Sequence, residues 1–306
     1  RGLSTISIII SLLKRIYKIF YHALKFRPDL MIGTDASIAI LSRFFSIHSI
    51  TIIEDDYKVI KMLGDLTYPF TETILCPSVC NVGKWHYKKV GYNGFMKLAY
   101  LHPNIFHKQD DIIEKYNLPS QFSIIRLSQL AAYHDKGIDG LDHNFLNKII
   151  KVVQSYSISV FITSESEIDN AYVKYLLDIN PSDLHQVLAQ STILISDSQS
   201  MSVEASLLGV PSVRISSFVG KISVLEELEH RYKLTFGIHP KNYKEIIDKI
   251  NLILSTKNVK TIFSKRKSQL LKEKIDVNAF LLWFIEKYPN SIKNTKVDSN
   301  YISGYE

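Results

Sequence analysis

Only two cysteines, Cys76 and Cys80, occur among 306 residues, spaced C-x3-C with no second pair. A structural zinc site needs four ligands, and no histidine stands at finger spacing, so no metal centre is expected. With no disulfide framework, two free thiols suit a reducing cytoplasm, which is the expected location. Long apolar runs are also missing. Residues 5–13 (TISIIISLL) are apolar, but Lys14, Arg15 and Lys18 follow at once, well short of the roughly 20 residues that cross a bilayer. No segment interleaves basic residues with aromatics as single-strand binders do. Nucleic acid is therefore not an expected partner, despite a net charge of +7 and a pI near 9.1. The lysines are dispersed, with modest clusters at 84–89 and 265–274 that read as solvated helix faces. There is no internal repeat and no low-complexity tract.

What is present is a globular composition. Hydrophobic residues make up 46% and charged residues 22%, enough for two domains with sizeable cores. Residues 5–26 read as a long amphipathic helix, with Ile16, Ile19, Phe20, Leu24 and Phe26 continuing the apolar pattern. It can pack on a sheet or lie on a membrane surface, and both readings stay open. Short apolar runs then alternate with helical patterns. Strands are predicted at 29–33, 49–54 and 73–76, then at 122–127, 158–163, 192–196, 211–215 and, weakly, 233–237. Such alternation predicts an α/β fold with parallel sheets covered on both faces. Residues 77–108 look irregular and suggest a domain junction. The expected organisation is a first domain over 1–108, a second over 109–275, a crossover helix at 276–288 and a mobile polar tail at 289–306. The chain starts with Arg1 on a helix, whereas a doubly wound domain normally opens on a strand and a Gly-rich turn. The expectation is that roughly 60–80 residues, about two βα units, precede this point.

The most informative stretch is ILISDSQSMSVEASLLGVPSVRI, residues 193–215. A strand ends at Ser196, a polar loop opens a helix, and Gly209-Val210-Pro211 closes it. A helix N-terminus presents unpaired N–H groups and partial positive charge, a seat for a diphosphate. Ser198, Gln199, Ser200 and Met201 would form that seat, with Glu204 one turn in, facing a ribose diol. An ordinary capped helix with an exposed Glu204 is the alternative.

The pattern D-S-x-x-x-x-x-E-A-x-x-L-G-x-P-x-x-R resembles the signature of non-hydrolysing UDP-N-acetylglucosamine 2-epimerases and related GT-B proteins. The resemblance implies that Ser198 touches the diphosphate and Glu204 grips the uridine ribose. Gln199-Ser200 stand where the epimerases carry Gly-Gly. A closer likeness covers nearly the whole chain. The runs RPDLMIGTD, GFMKLAYLHP, IIRLSQLAAYHDKG, SDLHQVLAQ and DSQSMSVEASLLGVPSVR are similar to the prokaryotic family labelled domain of unknown function 354. That family is GT-B-like. It implies two Rossmann-like doubly wound domains facing a cleft, the first N-terminally truncated here.

Other candidates follow strand ends, where α/β ligands bind. Arg126 could neutralise phosphate charge, and His134 could act as acid or base. Asp135 lies beside it. A surface salt bridge for Arg126 and a solvated loop position for His134 are the alternatives. Asp35 and Glu54 follow two strands of the first domain, as does the run Glu54-Asp55-Asp56. They match acidic positions of the epimerases and could divide into acid and base. Helix capping is the competing reading, and Mg²⁺ held with a diphosphate is a further one. Lys97 and Tyr100 lie near the expected crossover, Glu165 follows a strand, and His185 could reach the base.

These readings point to a glycosyltransferase-like enzyme of surface polysaccharide synthesis. It would use a UDP-sugar, with no obligatory cofactor or metal. Asp35, Glu54 or His134 would deprotonate the acceptor. A lipid-linked acceptor at the inner membrane face fits the basic surface and first helix, and a homodimer stays open. The alternatives are a UDP-sugar 2-epimerase and a non-catalytic binding or scaffold protein of the same fold.

Overall fold

In the computed structural model, residues 5–128, 143–165 and 167–297 are described. They form two compact α/β units. The first comprises Arg1–Ala99 together with Ile275–Glu306, and the second comprises Tyr100–Lys274.

The first unit opens with helix α1 (Thr5–Phe26), followed by β1 (Leu30–Gly33), α2 (Ala36–Phe45), β2 (His48–Ile52), α3 (Lys61–Thr67), β3 (Thr73–Pro77) and β4 (Lys89–Tyr92). The four strands pair in parallel in sequence order. Strand β4 lies inside the stretch expected to be irregular. One stripe of α1 (Ile16, Ile19, Phe20 and Ala23) packs with Met31 of β1 and Leu41 of α2. Ile10, Leu13, Tyr17, Tyr21 and Leu24 stay exposed on the helix. No helix among the described residues is long and apolar enough to cross a membrane.

Helix α4 (Leu98–Leu101) carries the chain into the second unit. There α5 (Ile112–Lys115), β5 (Phe122–Leu127), α6 (His143–Ser155), β6 (Ser159–Ser164), α7 (Leu184–Leu188), β7 (Ile193–Ser196), α8 (Gln199–Leu208), β8 (Ser212–Ile215), α9 (Ser223–His230), β9 (Thr235–Ile238), α10 (Tyr243–Ser255) and α11 (Val259–Glu273) follow. The five strands are parallel in the order β6-β5-β7-β8-β9. Helical periodicity selects the buried face: Leu146, Ile149, Ile150 and Val153 of α6, and Ile246, Ile250 and Ile253 of α10, join the strand residues in one core. Winding runs outward from β5 to β6, then reverses across β5 to β7. That reversal is a topological switch point, where α/β sheets bind ligands beyond the strand ends.

Beyond β9 the chain is helical with interruptions. It breaks at Asn258, which takes a left-handed φ of 57°. It breaks again before α12 (Val277–Glu286), which Asp276 caps through the Ala279 N–H. This helix belongs to the first unit, where Phe280 packs on Tyr92. The polar stretch expected to be mobile from 289 forms helix α13 (Asn290–Val297). Its Ser291 is fully buried and donates a hydrogen bond to the Phe284 carbonyl, so one small polar residue anchors a helix of polar composition.

Candidate functional site

The helix expected to seat a diphosphate starts at the switch point of the second sheet. Ser198 is its N-cap, with extended backbone and a hydroxyl that accepts from the Met201 N–H at 3.3 Å. Gly209 ends the helix at φ 78°, a left-handed conformation that glycine adopts without strain. Residues Met201 to Leu208 are all buried, so α8 is fixed by packing on every side. Asp197 fastens the start of this loop across the switch point: its Oδ1 accepts from the Ser128 N–H at 2.7 Å and the Ser128 hydroxyl at 2.9 Å.

Glu204 is 8% exposed and sits at the centre of a polar cluster within the second unit. Its Oε1 accepts from the Tyr100 hydroxyl at 3.0 Å and the Ser200 hydroxyl at 3.2 Å. His185 Nε2 lies 3.4 Å from Oε2, and its ring tilts against that of Tyr100 at 5.5 Å between centroids. Tyr100 and His185 thus gather around the Glu204 carboxylate. Each of these groups can exchange its protein partner for a sugar hydroxyl, since hydroxyls and carboxylates accept or donate in several directions.

Gln199 stands where the epimerase signature has glycine, and its side chain has its own role. Its amide nitrogen donates to the Ser216 hydroxyl at 2.6 Å, and its carbonyl oxygen accepts from Arg214 Nη1 at 2.9 Å. Arg214 is wholly buried, 3.6 Å from Glu226 and 3.8 Å from Glu229. Those separations are too long for hydrogen bonds, and among the described residues Nε and Nη2 have no hydrogen-bond partner. Burial pulls the guanidinium pKa down, while Glu229 and Glu226 oppose the shift. A Cβ on Gly237 would stand 2.5 Å from Nη2, so glycine is what leaves room for the guanidinium. Sequence reasoning gave Arg214 no role. The available signal was a lone arginine inside an apolar strand, which must be compensated if buried.

Other candidates fall into two groups. Arg126 Nη2 meets Glu165 Oε1 at 2.5 Å, so two residues proposed separately form one ion pair. His134 and Asp135 lie outside the described residues. In the first unit, Asp35 caps α2, accepting from the Ser37 N–H at 2.9 Å and hydroxyl at 2.5 Å, and pairs with Arg15 at 3.1 Å. Glu54, after β2, is 8% exposed, and Lys97 is 7% exposed. One Glu54 oxygen accepts from the Met96 N–H at 2.8 Å and the other is bonded to the Lys97 ammonium. Asp56 is likewise engaged, accepting from the Asn81 N–H at 2.7 Å. The thiols of Cys76 and Cys80 are free and buried, and Cys80 donates to the Glu54 carbonyl at 2.9 Å. Burial pushes the Cys76 thiol up to about 12. Among the described residues no group of three or more His, Cys, Asp or Glu is placed to hold a metal ion.

Asp55 differs from its neighbours. Burial raises its carboxyl pKa, and Glu54 adds to the rise while Lys97 opposes it. The folded protein therefore holds this proton more tightly than the unfolded chain, whose carboxyl titrates near 3.8. Stability from this group is greatest below that value and falls as pH rises through the raised folded pKa. Asp55→Asn should flatten that part of the pH–stability curve and raise stability at pH 7. Urea denaturation across pH 3.5 to 7, an interval of order the carboxylate range, measures it; an unchanged curve contradicts the assignment.

Nothing among curated protein sequences matches the chain. Solved structures do. A Staphylococcus aureus MnaA–UDP co-structure superposes with a TM-score of 0.68 at 13% identity, covering 95% of this chain and 84% of that one. The Methanocaldococcus jannaschii UDP-GlcNAc 2-epimerase, in complex with UDP-GlcNAc and UDP, gives 0.60 at 13% identity over 85% and 80% of the two chains. The spinosyn rhamnosyltransferase SpnG, complexed with spinosyn aglycone, gives 0.56 at 11% identity over 92% and 79%. At such identities the likeness establishes the fold, and that fold is GT-B. Residues 2–281 match the model of one family, so the chain belongs to the family described as protein of unknown function (DUF354).

Proposed function

We propose that this protein is a GT-B enzyme that binds a UDP-sugar through its second unit and transfers the glycosyl group to an acceptor hydroxyl. The observation that carries this reading is the start of α8 at the switch point of the second sheet, with Glu204 one turn in. The first-turn N–H groups and the Ser198 and Ser200 hydroxyls suit a diphosphate, whose charge grows as the glycosidic bond to it breaks. Glu204, with Tyr100 and His185, suits the ribose hydroxyls. In the transfer, the acceptor oxygen bonds to the anomeric carbon, UDP departs with the bonding pair, and a base takes the acceptor proton. Asp55 fits that last role better than Glu54, whose two oxygens are already engaged. A carboxylate with a raised pKa and no hydrogen-bond partner among the described residues is matched to proton transfer. The acceptor is a polysaccharide or lipid-linked glycan in the cytoplasm or at the inner membrane face.

A second reading, 2-epimerisation of the UDP-sugar, is favoured by the higher TM-scores to MnaA and the archaeal 2-epimerase than to the rhamnosyltransferase. Incubation with UDP-N-acetylglucosamine separates the two. Transfer predicts an unchanged sugar nucleotide until an acceptor is added. UDP-N-acetylmannosamine formed without any acceptor overturns the transferase reading.

A further inference from the structure

A second basic pocket lies at the opposite end of α8, within the second unit. It encloses about 310 Å³ around Gly209, the helix C-cap. Lys108 approaches from the segment before α5. Lys260, Ser264 and Lys267 come from α11 at spacings i, i+4 and i+7, which place them on one helical face. No aspartate or glutamate lines it. Lys260 donates to the Gln190 carbonyl at 3.1 Å. Lys108 and Lys267 have no ion-pair partner among the described residues. The stem of Lys267 packs over Gly209, where an added Cβ would stand 3.2 Å from its Cδ.

Two explanations compete for this arrangement. The carbonyl ends of α7 and α8 carry partial negative charge and attract cations. That accounts for Lys260, which is bonded to one such carbonyl. It does not account for three ammonium groups around one cavity with no acidic side chain. Burial pulls the pKa of both Lys260 and Lys267 down, and Lys108 pulls it further, so each cation is held at a cost that an anion would relieve.

We propose that this pocket is an anion site for a phosphate or diphosphate group, separate from the nucleotide-sugar site at the start of α8. Bound there, the anion would accept from the three ammonium groups and the Ser264 hydroxyl. The volume admits a diphosphate or a small phosphorylated compound, and a phospholipid headgroup carries the same chemistry.

Titrating inorganic pyrophosphate into the protein saturated with UDP tests the proposal by calorimetry. One binding event should remain under UDP. In K260M/K267M it should weaken at least tenfold. Loss of the event under UDP means that pyrophosphate occupies the nucleotide site, and this overturns the proposal. So does binding unaffected by the lysine changes. Should the double variant fail to fold, amine acetylation of the unaltered protein read by mass spectrometry replaces it: pyrophosphate should protect Lys260 and Lys267 at least threefold, and equal labelling overturns the proposal. Sedimentation with phosphatidic acid vesicles distinguishes the source. Lysine-dependent co-sedimentation in place of pyrophosphate binding assigns the site to a lipid headgroup; neither form of binding overturns it.

Discussion

Arg214→Met should destabilise the protein by about 3 kcal/mol, the low end of the cost of removing one partner from a buried charge pair. The guanidinium is wholly buried, while the side chains of Glu226 and Glu229 are 25% and 17% exposed. Methionine fills the space but leaves two carboxylates facing a site without a cation. Their residual solvent contact keeps the cost at the lower end. Gln199 would lose the donor to its carbonyl oxygen, so the β7–α8 loop should loosen and UDP affinity should fall together with stability. Gly237→Ala tests the same site from outside, since its Cβ would displace Nη2. It should lower the denaturation midpoint in the same direction. Urea unfolding measures both, and a midpoint unchanged in Arg214→Met would remove this residue from the account.

Glu204→Ala should separate binding from stability. Each charge-assisted hydrogen bond lost to a ribose hydroxyl weakens binding by roughly tenfold or more, so two lost bonds should weaken UDP binding by about 100-fold. The fold should tolerate the change: Tyr100 and His185 reach solvent and can satisfy themselves with water, with Tyr100 at 40% exposure. Glu204→Gln keeps the shape and loses the charge, and should fall between the two. Calorimetry with UDP measures the series. Equal affinity across all three would place the nucleotide elsewhere.

The α8 segment was legible in the sequence because its signals are local. A capping serine, a buried helix and a glycine closing it stand within one short run, and strands on both sides are apolar enough to be read directly. The switch point could be expected from alternating elements, but not the strand order itself. Strand β4 escaped notice because KVGY carries a lysine and a glycine; its Lys89 ammonium turns back to the Ser78 and Cys80 carbonyls at 2.8 and 2.6 Å. Helix α13 escaped because its polarity resembles that of a tail, and its anchor is a single buried serine. The Tyr100–His185–Glu204 cluster joins positions far apart in sequence, which no spacing rule can connect. Arg126 and Glu165 lie far apart in sequence, and the parallel pairing of β5 with β6 aligns Leu127 with Ser164, which brings them to each other. The Asp55 carboxyl was inseparable from Glu54 and Asp56 by sequence. Only the engagement of its two neighbours, each bonded to other groups, distinguishes it.

The central claim is that the first turn of α8 receives the diphosphate of a nucleotide sugar. Amide hydrogen exchange with and without saturating UDP locates the contact directly. Protection should concentrate at residues 197–204, with a smaller effect around His185. Protection confined to other segments, or none at a UDP concentration that saturates calorimetric binding, would contradict the claim.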